Sequence, residues 1–198
     1  MLTVRQLTRP GLEPVDLDVA DGECIALSGP SGVGKTIALR AIANLDTNRG
    51  TVSLDGADRE PMPAPQWRQQ VCYMAAEPGW WAETPGAYFP DRAAAAPWLP
   101  ELNLTPEMLD APLARLSTGE RQRLALVRVL LLVPRVMLLD EPTSGLDPEA
   151  TARIEDILKA QMERGISIIL VTHAREQAIR MAHRRFTIHD GKVTEETP

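Results

Sequence analysis

Short runs with strand-like alternation of apolar and polar positions open the chain, at residues 3–7, 15–19 and 24–28. A glycine-rich turn follows, and residues 35–43, dense in Ala, Leu and Ile, predict a helix. Residues 51–54 predict a further strand, closed by the Asp55-Gly56 turn signal. Between residues 61 and 112 the periodicity fades. Prolines break any long helix there, and all four tryptophans and an alanine run at 93–96 fall in the same stretch, so short helical pieces and loops are expected around a strand at 71–74. Regularity returns with a helix at 120–132, a fully buried strand at 135–139, a helix at 148–164 opened by proline in its first turn, a strand at 166–171 and a helix at 174–182. Residues 186–189 pair with Val193 across the Asp190-Gly191 turn. Strands alternating with helices in both halves predict an α/β fold with a mostly parallel sheet covered on both faces.

A chain of 198 residues fits one domain or one domain with an inserted subdomain, and 44% hydrophobic content is enough for a sizeable core. The excess of 27 acidic over 21 basic residues gives a net charge of −6, which argues against a protein built to hold nucleic-acid phosphates. Cys24 and Cys72 lie inside apolar runs and read as buried small hydrophobes in a reducing interior, not as a disulfide framework. Residues 1–14 lack the apolar core of a secretion signal. The longest apolar stretch, 124–133, is interrupted by Arg128 and is too short to cross about 30 Å of hydrocarbon. A cytoplasmic protein is therefore expected, reaching a membrane only through a partner.

Against that background, one segment carries specific chemistry. Gly29-Pro30-Ser31-Gly32-Val33-Gly34-Lys35-Thr36 fits G-x-x-x-x-G-K-[ST] and lies between a strand and a helix, where a phosphate cradle must lie. Its glycines let backbone N–H groups converge on phosphate oxygens, and the helix start adds a favourable dipole. Lys35, one of only three lysines among the 21 basic residues, supplies a point charge for the terminal phosphates, and Thr36 offers a hydroxyl to Mg²⁺. The strand at 135–139 ends in Asp140-Glu141, on the edge where parallel sheets bind ligands. One carboxylate can hold the metal and the next can polarise a water molecule.

The constellation continues with Leu116-Ser117-Thr118-Gly119-Glu120 ahead of a helix, Ser144-Gly145-Leu146-Asp147 after Glu141, and His173 after an apolar strand. This ordered set resembles the ABC-type ATPase family over nearly the whole chain. The resemblance implies a P-loop NTPase fold of RecA-like mostly parallel sheet with an N-terminal antiparallel β part and a short helical arm. The whole is a single nucleotide-binding domain over residues 1–198, with 77–115 as the inserted arm. It implies ATP and Mg²⁺ as ligands, and a homodimer that closes head to tail on ATP. Glu141 is then the catalytic base, His173 a γ-phosphate contact, and Ser117, Gly119 and Glu120 the signature offered to the partner's nucleotide. Asp147 communicates across the dimer. Glu120 replaces the commoner glutamine of that signature.

Two places depart from the family pattern. A glutamine that touches Mg²⁺ is usual a few residues after the strand at 71–74, and Ala76 stands there, with Glu77 beside it. Either Glu77 supplies the missing metal oxygen or the metal keeps an extra water. No aromatic residue precedes the P-loop to stack on adenine, which leaves stacking on Arg9 or apolar packing against Leu12.

The middle segment is expected to receive a transmembrane permease subunit near Trp80 and Trp81, or else to form a small core of its own around its aromatic residues. The resemblance thus implies the ATP-binding subunit of a transporter, peripheral on the cytoplasmic face of the inner membrane. The 67–71 run and the short arm look most like small ATPase subunits of metal (iron) exporters. A membrane-associated ATP switch that transports nothing would carry a nearly identical cassette. The chain shows no second P-loop and no long coiled coil, and no C-terminal regulatory domain is expected after Val193.

Overall fold

The structure, a computed structural model, describes residues 1–196. Strands β1 (Leu2–Arg9), β2 (Leu12–Val19) and β3 (Cys24–Ser28) lead into helix α1 (Lys35–Ile42). Strands β4 (Arg49–Leu54) and β5 (Ala57–Asp58), helix α2 (Ala64–Gln70) and strand β6 (Val71–Met74) follow. The arm holds two one-turn helices, α3 (Arg92–Ala95) and α4 (Trp98–Glu101), among 3₁₀ turns. Helix α5 (Thr118–Leu131), strand β7 (Val136–Asp140), helix α6 (Pro148–Glu163), strand β8 (Ser167–Val171), helix α7 (Arg175–Met181) and the pair β9 (Arg184–His189) and β10 (Lys192–Glu195) complete the order.

Two sheets form. Strands β2-β1-β4-β5 make an antiparallel sheet, and the larger sheet runs β10-β9-β3-β8-β7-β6. Every neighbouring pair from β9 to β6 is parallel, and β10 closes the edge as an antiparallel hairpin in which Val193 faces Ile188. The apolar runs of the central strands have no polar face because both faces are covered. Leu138, Ile169 and Val171 join a cluster with Leu39, Ile42 and Trp67, whereas Met137, Leu139, Ile168 and Leu170 join one with Leu124, Ile154 and Leu158. Cys24 and Cys72 are free and buried, and burial pushes their thiols up to about 12 and about 11.

Most expected elements recur, with ends shifted by a few residues. β1 and β2 are longer than the alternation suggested. The strand expected at 135–139 is found at Val136–Asp140, because Asp140 still pairs with Val171 of β8. α5 begins at Thr118 because Ser117 caps it. The proline-rich middle folds into short pieces whose Phe89, Leu99, Leu102 and Leu109 bury against α5 and extend the second cluster.

Trp67 fixes the start of this region to the P-loop helix. Its side chain is fully buried and its indole N–H donates to the Ile42 carbonyl at 2.9 Å, meeting one of the carbonyls left open at the end of α1. Trp67→Phe should cost about 1–3 kcal/mol for the orphaned carbonyl, and Trp67→Ala about 3–5 kcal/mol. Urea unfolding checks both, and a phenylalanine variant as stable as the parent would show that the hydrogen bond contributes nothing.

Candidate functional site

The loop between β3 and α1 delivers the phosphate-binding residues. Gly34 occupies the N-cap of α1 at φ 109°, a left-handed conformation, and a Cβ there would come within 2.9 Å of the Gly11 carbonyl oxygen. No side chain caps α1 and no acidic residue lies in its first turn, so its leading N–H groups stay open to an anion. α5 and α6 differ, since Ser117 and Asp147 cap them. Lys35 is buried, and its Nζ donates to the carbonyls of Gly29 and Pro30 at 2.8 and 2.9 Å, which leaves one of its three protons uncommitted. Burial lowers its pKa, and the charges of Glu141 and Asp140 oppose that shift.

β7 ends beside this loop and supplies the carboxylates. Thr36 Oγ1 donates to Asp140 Oδ2 at 2.6 Å, and the Tyr73 hydroxyl donates to the same oxygen at 3.1 Å. Burial, reinforced by the Asp140 charge, pushes the Tyr73 phenol well above its ordinary range, so it stays a donor. Glu141 follows at φ 50°, with its N–H bonded to the Val171 carbonyl at 2.9 Å and its carbonyl receiving the buried Gln122 Nε2 at 3.1 Å. Its Oε1 is buried without a hydrogen-bond partner and lies 3.5 Å from His173 Nε2. Burial raises the Glu141 pKa, and His173 and Lys35 hold back part of that rise. A half-buried carboxylate with an orphaned oxygen is suited to accepting a proton from a water molecule. Thr36 and Asp140 form a hard oxygen pair of the kind Mg²⁺ takes, because the threonine can donate its proton to Asp140 and still offer lone pairs.

Lys35, Thr36, Asp140, Glu141 and His173 line a cleft of 260 Å³ together with Ser31, Gly32 and Ala76. Ala76 is thus at the wall, at the place the resemblance assigns to a glutamine, and brings no oxygen. Glu77 is exposed and does not line the cleft, so the structure does not bring its carboxylate to the expected metal position. The chain bends at residues 76 and 77 after β6, and it is residue 76 that faces the cleft. Ser31 and Gly32 also line a neighbouring cleft of 840 Å³ that contains both Arg9 and Leu12 and no aromatic residue. Arg9 is committed there to an ion pair with Asp46, which Arg40 grips as well and which these contacts hold at about 2.

The signature residues lie elsewhere. Ser117, Gly119 and Glu120 do not line the 260 Å³ cleft. Ser117 and Glu120 form a reciprocal capping box at the start of α5. Glu120 Oε2 accepts from the Ser117 N–H and hydroxyl at 2.7 and 2.8 Å, and its own N–H donates to Ser117 Oγ at 3.2 Å. Gly119 is pressed against the loop after β7, where a Cβ would meet Leu146 Cδ2 at 2.8 Å. Asp147 Oδ1 accepts from the Ala150 N–H at 2.8 Å and so caps α6. Tyr73 and Gln122 are contacts that no spacing rule announces, since each depends on which elements pack side by side.

Residues 12–144 match a family model described as ABC transporter. A Nod factor export ATP-binding protein I from Paraburkholderia xenovorans is 36% identical, over 94% of this chain and 66% of that protein. A phosphate import ATP-binding protein PstB 2 from Natronomonas pharaonis is 34% identical, over 94% of this chain and 74% of its own length. The chain therefore spans just under two thirds of the first of these relatives. Among solved structures, an ATP binding subunit of an ABC transporter superposes with a TM-score of 0.88 at 28% identity, covering 100% of this chain and 90% of that one.

The raised pKa of Glu141 has a kinetic consequence. A base acts only when deprotonated, so turnover that depends on Glu141 is lost, as pH falls, at a higher pH than an ordinary glutamate would dictate. A pH–rate profile whose acid limb lies in the ordinary glutamate range would remove Glu141 from that role.

Proposed function

Because the chain belongs to the ABC transporter family and carries its ATPase domain, we propose that it hydrolyses ATP as a head-to-tail homodimer that energises a separate transmembrane permease. The observation that carries this reading is the division of the chemistry between two surfaces. Lys35, Thr36, Asp140, Glu141 and His173 share one cleft, and Ser117 and Gly119 are not in it. A second copy offering its α5 start would complete the cleft.

Within that arrangement the Gly29–Thr36 loop and Lys35 bind the phosphate chain, and Thr36 and Asp140 would hold Mg²⁺. Magnesium, when bound, supplies neutralisation of charge on the phosphate oxygens. Glu141 accepts a proton from the attacking water as that oxygen bonds to the γ-phosphorus and the bond to the bridging oxygen breaks, leaving ADP and phosphate. His173, with its side chain 54% exposed at the mouth of the cleft, donates to the γ-phosphate. With only Arg9 and Leu12 in place of an aromatic platform, base selectivity is loose.

Among the described residues no helix is long and apolar enough to cross a membrane. In this reading the permease is a separate partner, and the chain docks on it from the cytoplasmic face of the inner membrane. The two relatives named above move their cargo in opposite directions by their names. For this chain we favour metal (iron) export, on the 67–71 run and the short arm. The docking point is the aromatic patch of the arm. Trp81 is 81% exposed, whereas Trp80 packs edge-on to Tyr88 at 5.0 Å with Arg128 over both rings, and it joins the second core cluster. The two neighbouring tryptophans thus divide the alternatives, one facing outward and the other forming part of a small core.

Two outcomes test these readings. Glu141→Gln should bind ATP without turning it over and sediment as a stable dimer, and a monomer at saturating ATP would overturn head-to-tail closure. Trp81→Ala should leave the unfolding free energy within about 0.5 kcal/mol of the parent and weaken capture by the permease, whereas Trp80→Ala should cost about 2–4 kcal/mol of stability. Equal permease binding by Trp81→Ala and the parent in a pull-down would remove that residue from the interface.

A further inference from the structure

Tyr73 stands on β6 opposite Leu138 of β7, two residues short of Asp140. Two residues of strand are about 6.6 Å, a span a tyrosine side chain can bridge with a polar atom at its far end. The side chain lies on the α1 side of the sheet, against the cluster that contains Trp67 and Val71, and its hydroxyl arrives 3.1 Å from Asp140 Oδ2. Thr36 Oγ1 reaches the same oxygen at 2.6 Å. Two hydroxyls from two different elements therefore converge on one carboxylate oxygen. Three residues along the same strand and loop, Ala76 lines the cleft and offers no oxygen.

We propose that Tyr73 is a positioning residue for the metal carboxylate: its hydroxyl fixes the orientation of Asp140 in a cleft whose Ala76 wall supplies no metal ligand. Thr36 alone leaves Asp140 free to turn about one hydrogen bond. A second donor on the same oxygen restricts that rotation, and the other oxygen is kept for the metal or its water. A hydrogen bond to a charged acceptor is worth more than one between neutral groups, so its loss is measurable as metal affinity. The proposal rests on Asp140 holding Mg²⁺.

Tyr73→Phe keeps the ring and its packing and removes only the hydroxyl. Manganese binding to the ATP complex, followed by electron paramagnetic resonance, should weaken roughly tenfold. The Mg²⁺ concentration for half-maximal ATP turnover should rise by the same factor. A purely structural role would instead depress turnover equally at low and saturating metal. Asp140→Asn is measured beside it. Metal affinity unchanged in Tyr73→Phe but lost in Asp140→Asn would overturn the role of Tyr73. Metal affinity unchanged in Asp140→Asn would overturn the assignment of Asp140 itself.

Discussion

Parallel pairing of β3, β8, β7 and β6 is the constraint on which the rest of this molecule depends. Parallel strands that start together also end together, so the segments leaving their C-terminal ends emerge along one edge of the sheet. Here those segments begin at Gly29, Thr172, Glu141 and Ala75, four points far apart in the chain. Hydrogen bonds then lock the edge. Thr36 ties the helix after β3 to the end of β7, the Glu141 N–H ties β7 to Val171 of β8, and Tyr73 ties β6 to β7. Slipping one strand by a residue would turn Asp140 away from Thr36 and move every apolar side chain of that strand to the wrong face.

This geometry explains what could be read in the sequence. The phosphate loop was legible because its chemistry needs residues that are neighbours in the chain, from Gly29 to Thr36. Asp140-Glu141 was legible because a buried strand ending in two acids is itself a local pattern. The mostly parallel character of the larger sheet followed from strands alternating with helices. The Tyr73–Asp140 and Gln122–Glu141 contacts were not legible, since each joins elements that meet only after the sheet and α5 have packed. Glu77 is the converse case. Sequence places it beside the expected metal ligand, but the direction a loop side chain takes is set by the path of the backbone, and that path turns Ala76 inward.

The arm shows how a segment poor in regular structure still holds together. Its helices are one turn long and could not persist alone in water. Phe89, Leu99, Leu102 and Leu109 bury against α5, and the Tyr88 hydroxyl accepts from the N–H groups of Trp81 and Ala82, which fixes the loop that carries the tryptophans. α5 therefore serves two surfaces. Its flank carries the arm, and its start, closed by the Ser117–Glu120 box, is ordered before anything docks on it. Any displacement of the arm would reach the Ser117 cap through one rod of fourteen residues.

The left-handed backbone of Glu141 places this cleft in conflict with the drift of neutral mutation. A side chain at φ 50° costs on the order of 1–2 kcal/mol, and glycine at that position would relieve the strain. Gln122 and Val171 hold the peptide on either side regardless of which residue occupies position 141. Glutamate at this position is accordingly held at some cost in stability. A library screened for thermal resistance alone would be drawn toward losing Glu141, so robustness and turnover should be selected together when this fold is engineered.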